Sequence, residues 1–351
     1  MLSFCSDIFD VMYISSLLLS RMSETLWKLF VRTNLILISG LSALRAMPYK
    51  GNIADMTSIL FERTHAYLPE IPAYMSWLER YRPDIKTDDS SRLMGCNASD
   101  YDIVWRFMGL DRAGKGRFVV HEYNSLSTGT GAYCKNLVKR TLNRKPDRRV
   151  FLNENVRNGF AFHDDIPFRL RDMGVDCRFF RSGPVSAPVY DFVYAGSLNR
   201  GSVITRFLDY FAASARDMTL LLVGEAPSDM RARYQNASNI VFKGRVPYED
   251  VPALAGQARY GLNLMPDRYP FNLQTATKVV EYCALGLPVI STRYRWVEDY
   301  AIARQGRFFW LTPDFSNLSA AALAAFDFHT PDVQDLSWDK VIETSGVFDF
   351  L

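Results

Sequence analysis

A chain of 351 residues, 48% apolar and 23% charged, holds enough apolar material for two separate cores and has no low-complexity tract. A net charge of +3 gives no global case for nucleic-acid binding, so any basic surface must be local. Five scattered cysteines without a C-x-x-C pair argue against a disulfide framework and a structural zinc site, and fit a reducing, cytosolic setting in which each is a small buried hydrophobe.

Met1 to Ser20 is apolar, but Asp7 and Asp10 interrupt it and no basic region precedes it. The uncharged stretches Val11 to Ser20 and Thr33 to Leu44 fall short of the roughly 20 residues a bilayer span needs. Neither a cleaved signal nor a transmembrane helix is expected; a helix over Met12 to Phe30 lying on another surface and an over-extended start are two readings of this segment. Strands are expected at Leu35–Ser39, Ile103–Phe107, Phe118–His121 and Val150–Asn153. A packing helix is expected over Pro72–Tyr81, and a loop over Asp84–Asp100.

His121 and Glu122 stand at the carboxyl end of the Phe118 strand and open a Gly/Ser/Thr-rich loop. At the carboxyl end of a strand, either could take a proton from an acceptor hydroxyl, or His121 could be a strand-end histidine satisfied by backbone. Lys135, Lys139, Arg140, Arg144, Lys145, Arg148 and Arg149 stand against Asp147 alone, a local charge of +6. Their spacing, with Val138 and Leu142, suggests a basic amphipathic helix or a solvated face. His163, Asp164 and Asp165 read as a loop or cap, because no further ligand recurs at metal spacing. Asp100 and Asp102 form a D-x-D that precedes its strand. Gly and two prolines between Arg181 and Pro188 mark a linker.

The later half alternates strands at Asp191–Ala195, Thr219–Val223, Ile240–Phe242, Tyr260–Met265 and Val289–Ser291 with helical segments, one of them Val203–Ala215. This is an α/β pattern with a parallel sheet. After the first of these strands, AGSLNRG offers close backbone approach at Gly196 and donors at Ser197 and Arg200. VFKGRVP presents Arg245 and Val246. In PFNLQTATKVVEYCALGLPVISTRY, Lys278 and Glu281 stand one helical turn apart near a helix N-terminus. The cation and backbone N–H groups can hold phosphate while the carboxylate accepts from ribose hydroxyls.

TKVVEYCALGLPVIST resembles the donor-binding segment of GT-B glycosyltransferases of the group 1 (family 4) type, in which a K-x-x-E-Y-x-A-x-G-x-P-V-I pattern is common. YDFVYAGSLNRG, LLLVGEAP and VFKGRVPYEDVPALAGQARYGLNLMP continue the resemblance in the family's order over Tyr190 to Leu311. Xanthan-type glucuronosyltransferases are related. The resemblance implies two Rossmann-like domains facing each other across a cleft: 1–183 for the acceptor, 184–335 for the nucleotide sugar, and 336–351 as a helix returning to the first domain. It implies transfer of a hexosyl or glycuronosyl group from a nucleotide diphosphate, foremost a UDP-sugar, to a glycan or lipid-linked saccharide, with no metal and no cofactor beyond the donor. The donor residues so implied are Gly196, Ser197, Arg200, Arg245, Val246, Asn272, Gln274, Thr277, Lys278 and Glu281. It further implies a cytoplasmic enzyme whose basic helix meets the inner face of a membrane, with no nucleic-acid partner.

Two departures qualify this. Retaining members carry a Glu eight positions before the second one, where this chain has Leu273, and often an Arg and a Lys in the loop where it has only Arg200. Retaining and inverting outcomes both stay open, and so does a non-catalytic module of the same fold that binds a nucleotide sugar or a protein. A nicotinamide oxidoreductase is disfavoured because GSLNRG lacks G-x-G-x-x-G spacing.

Overall fold

Strands of three to six residues, most of them apolar runs, build two six-stranded sheets, each wholly parallel between its described neighbours. The computed structural model describes residues 57–62, 68–90, 97–111, 117–129, 131–184, 186–199 and 202–351. The expected helix Met12–Phe30 and strand Leu35–Ser39 lie outside the described residues, as do Arg200, Cys5 and Cys96.

The first sheet runs β1 (Ser58–Glu62), β2 (Lys86–Asp89), β3 (Ile103–Phe107), β4 (Phe118–Tyr123), β5 (Arg148–Phe151) and β6 (Phe168–Leu170), in the spatial order β2-β1-β3-β4-β5-β6. β2 falls inside the expected Asp84–Asp100 loop. It is an edge strand, and edges tolerate a polar sequence such as KTDD. β4 extends past the expected end at His121, so Glu122 lies within the strand. β5 begins two residues earlier than expected, and Asn153 instead caps the helix Glu154–Phe160 by accepting from Val156 N–H at 3.0 Å.

The second sheet runs β7 (Tyr190–Ala195), β8 (Leu220–Val223), β9 (Ile240–Gly244), β10 (Ala258–Asn263), β11 (Val289–Thr292) and β12 (Phe309–Leu311), in the order β12-β11-β10-β7-β8-β9. The chain winds outward one way from β7 and returns to its other side at β10. That reversal opens a crevice between the carboxyl ends of β7 and β10, where ligands of doubly wound sheets bind.

Residues 338–351 pack on the first sheet. Trp338, Ile342, Val347 and Phe348 join Tyr74, Leu78 and Trp105 in its core, with the Phe348 ring 5.1 Å from Tyr74. Gly174 admits this contact, since a Cβ there would come within 2.4 Å of Trp338. Among the described cysteines Cys283 is buried and Cys134 half-buried, but Cys177, expected inside, is exposed at the start of a helix.

Candidate functional site

The helix Thr277–Ala284 packs over β10 and β7, and its tyrosine fastens it there. Tyr282 lies on Gly261, where a Cβ would come within 2.4 Å of its ring, and its hydroxyl accepts from Ala195 N–H at 2.9 Å. The helix N-terminus, preceded by Ala276 with no side-chain cap, thus comes beside the carboxyl end of β7. Its first amide groups and its dipole favour an anion.

Lys278 is 7% exposed. Its Nζ sits 3.6 Å from the centre of the Tyr194 ring and 3.4 Å from where a Gly196 Cβ would be. Gly196 has φ +131, and Gly224 after β8 has φ +149. A Cβ on Gly224 would come 2.1 Å from the Gly196 carbonyl oxygen, so the two strand ends meet only as glycines. Ser197 is exposed beside them. Gly224 N–H donates to Gly244 at 2.9 Å, which brings the exposed Arg245 and half-buried Val246 to the same edge.

Glu281 is 6% exposed and accepts from the Tyr248 hydroxyl at 2.6 Å, so the helix and the loop after β9 are joined. Burial pushes its carboxyl up to about 7; the Tyr248 hydrogen bond and the Lys278 ammonium pull the other way, and Asp176 adds to the rise. Asn272, in the short turn Phe271–Leu273, donates to Asp267 at 3.0 Å. Asn272 Oδ1 and Gln274 Nε2 are buried without a hydrogen-bond partner among the described residues. An orphaned acceptor and an orphaned donor beside the half-buried Thr277 suit a polyhydroxylated ligand.

Gly196, Ser197, Arg245, Val246, Asn272, Gln274, Thr277, Lys278 and Glu281 therefore share the carboxyl edge of the second sheet and the segment leading into one helix. His121 and Glu122 do not join them, and the expectation that either meets an acceptor hydroxyl is corrected by their complete burial. His121 Nε2 lies 3.0 Å from Asp111 Oδ2, and burial lowers its pKa while Asp111 raises it. Glu122 accepts from Trp105 Nε1–H at 2.7 Å, from the Tyr74 hydroxyl and from Arg171. A carboxylate inside a strand was read as a strand end because its partner, Arg171, lies 49 residues onward.

The basic segment is partly spent internally. Arg149 pairs with Asp164, Arg148 lies over the Phe350 ring at 5.1 Å, and Arg140 reaches the Ala161 carbonyl at 3.3 Å. Lys135 and Lys145 are exposed, and burial together with Lys135 lowers the pKa of Lys139. Asp102 of the D-x-D accepts from Ser58 and Arg117 within its own sheet. Among the described residues no cluster of His, Cys, Asp or Glu could hold a metal, and no helix is long and apolar enough to cross a membrane.

Sequence reasoning missed Asp172, Asn153 and Asn155 of the first domain, which touch the segment Leu273–Thr275. Thr275 Oγ1 donates to Asp172 at 2.6 Å, Asn155 Nδ2 to the Leu273 carbonyl at 3.2 Å, and Asn153 Nδ2 approaches Thr275 Oγ1 at 3.5 Å. Asp172 follows β6, a three-residue strand with no apolar run to announce it.

Residues 190–326 match the family model described as glycosyl transferases group 1. A sequence comparison with curated proteins gives no match. Among solved structures, AviGT4, a glycosyltransferase involved in avilamycin A biosynthesis, is 15% identical with a TM-score of 0.51, over 84% of this chain and 94% of that one. Sucrose-phosphate synthase from Thermosynechococcus elongatus is 14% identical with a TM-score of 0.54, over 84% and 94%. HepE from Anabaena, solved with UDP and glucose, is 11% identical with a TM-score of 0.52, over 84% and 95%. The chain thus has the GT-B fold, and its second domain carries the pattern of the glycosyl transferases group 1 family.

Proposed function

We propose that this glycosyltransferase moves a hexosyl or glycuronosyl group from a nucleotide diphosphate, foremost a UDP-sugar, to a hydroxyl of a glycan or lipid-linked saccharide. One observation carries the reading: the Lys278 ammonium lies 3.4 Å from where a Gly196 Cβ would stand, beside an uncapped helix N-terminus, at the point where the strand order reverses. The diphosphate would lie against that helix and Lys278, with Ser197 beside it. Glu281 would accept from the ribose, and the backbone of Arg245 and Val246 would flank the base. Charge developing on the leaving diphosphate is met by the ammonium and the helix dipole, so transfer is expected to proceed without a divalent metal. HepE's bound UDP supports the choice of base.

On this reading the first domain receives the acceptor. The exposed Lys135 and Lys145, with Lys139, Arg140 and Arg144, would steer the protein to an anionic inner membrane face from the cytoplasm. Leu273 in place of a carboxylate favours a second reading, a module of the same fold that binds without turnover.

Thermal shift with UDP-, GDP- and ADP-glucose tests the site. One donor at 100 times its Kd should add about 2.7 kcal/mol, and Lys278→Ala should cut that gain to about 1.3 kcal/mol or less. No shift with any of the three overturns the site. Stabilisation without turnover on a wider panel of donor sugars gives the second reading.

A further inference from the structure

Glu281 is nearly sealed on the donor helix, and a carboxyl so placed ionises only where something answers its charge. The Tyr248 hydroxyl donates to its Oε1 at 2.6 Å, the short separation of a hydrogen bond to a charged oxygen. No other hydrogen bond among the described residues reaches this carboxyl group, so Oε2 keeps its accepting capacity.

The groups facing it come from three places. Lys278, one turn earlier on the same helix, has its ammonium over the Tyr194 ring at 3.6 Å and favours the ionised carboxyl from there. Asp176, just ahead of the helix Cys177–Ser182, disfavours it, although Arg178 answers Asp176 at 2.8 Å. Tyr282, the next residue along, directs its hydroxyl to Ala195 on β7. Tyr248 alone among them both touches the carboxyl and supports its charge.

The phenol is held in place. Pro247, with φ −54, leads into the short turn Tyr248–Asp250, and the Tyr248 ring lies 5.7 Å from that of Phe179. The same loop carries Arg245 and Val246, so the hydroxyl joins the loop after β9 to the donor helix at the Glu281 carboxyl. Given the donor site proposed above, on which this rests, we propose that Tyr248 is a positioning residue for that site: it holds Oε1 of Glu281 and so presents Oε2 to a ribose hydroxyl of the donor. A neutral carboxyl accepts more weakly than an ionised one. Donor affinity is therefore set by how far Glu281 ionises, which the Tyr248 hydrogen bond governs.

The test is calorimetric titration of the full chain with UDP-, GDP- and ADP-glucose, whose diphosphate keeps its charge over the range scanned. The donor that binds should lose affinity as pH falls through about 7. Tyr248→Phe should weaken it about 10-fold at neutral pH and shift that limb to higher pH, since a hydrogen bond favouring the ionised carboxyl is gone. Glu281→Gln should remove the limb, and adding Tyr248→Phe to Glu281→Gln should cost no further affinity. Melting curves without ligand show that each variant is folded. Wild-type affinity in Tyr248→Phe, a limb that stays where it was, a further loss on top of Glu281→Gln, or a flat wild-type profile overturns the role of Tyr248 and leaves the donor site standing. No binding by the wild type with any of the three donors overturns both.

Discussion

The first sheet keeps its ions inside, whereas the second carries them at its rim. Glu62, Arg106, His121 and Arg149 stand in register across β1, β3, β4 and β5, with Asp111 paired to Arg106 and Asp164 to Arg149. Glu122 and Arg171 form a further pair on the opposite face, both fully buried. In the second sheet the buried polar groups on the strands, Asn263 and Ser291, are uncharged, and the buried ions Lys278 and Glu281 sit on a helix beside the strand ends. Burial of an ionisable group therefore does not mark a ligand site by itself. Ions that answer one another within a sheet hold it together; on the proposed reading, those at the carboxyl edge, beside orphaned amides, would meet the donor.

The sharpest way to break this contrast is Arg171→Ala. Removing one partner leaves Glu122 buried and uncompensated, which should cost about 3–5 kcal/mol in urea denaturation, while any folded fraction keeps its nucleotide affinity. Lys278→Ala should do the reverse: little loss of stability without ligand, and a loss of about 1.5–3 kcal/mol in nucleotide diphosphate binding by calorimetry. Equal effects on stability from the two substitutions would erase the distinction. Gly224→Ala tests the rim itself, because its Cβ would strike the Gly196 carbonyl in a backbone conformation that side chains avoid. A loss of about 1–3 kcal/mol is expected by chemical denaturation, with weaker nucleotide binding.

The smallest effect belongs to Glu281. Its carboxyl is raised in the folded protein, so the stability it contributes is fully present below the ordinary carboxylate range and is lost as pH rises towards about 7. Melting curves of ligand-free protein should show that decline, and Glu281→Gln should flatten it. A decline unchanged in the variant would assign it elsewhere.

The contrast also explains what could be read in advance. YDFVYA and LLLV are apolar runs buried on both faces, as parallel strands require, and K-x-x-E-Y lies on one helix. Local pattern therefore located the second sheet and the donor helix. In the first sheet pattern failed wherever stability came from distant partners: Glu122 broke an apolar run because Arg171 was not visible as its counter-ion, and KTDD was too polar to be read as a strand at all. Asp172 stayed hidden for the same reason, since its neighbour across the cleft lies 103 residues onward.

The seating of Trp338 and Phe348 against the first sheet has a consequence for biosynthesis. A ribosome releases residues 58–170 long before residues 338–351, so the earlier sheet emerges with an open seam on its apolar face. The later sheet, whose strands are contiguous from Tyr190 to Leu311, can close while that seam waits. Order of synthesis and order of completion are thus reversed in this chain, and chaperone protection during translation would be needed most by the half made first.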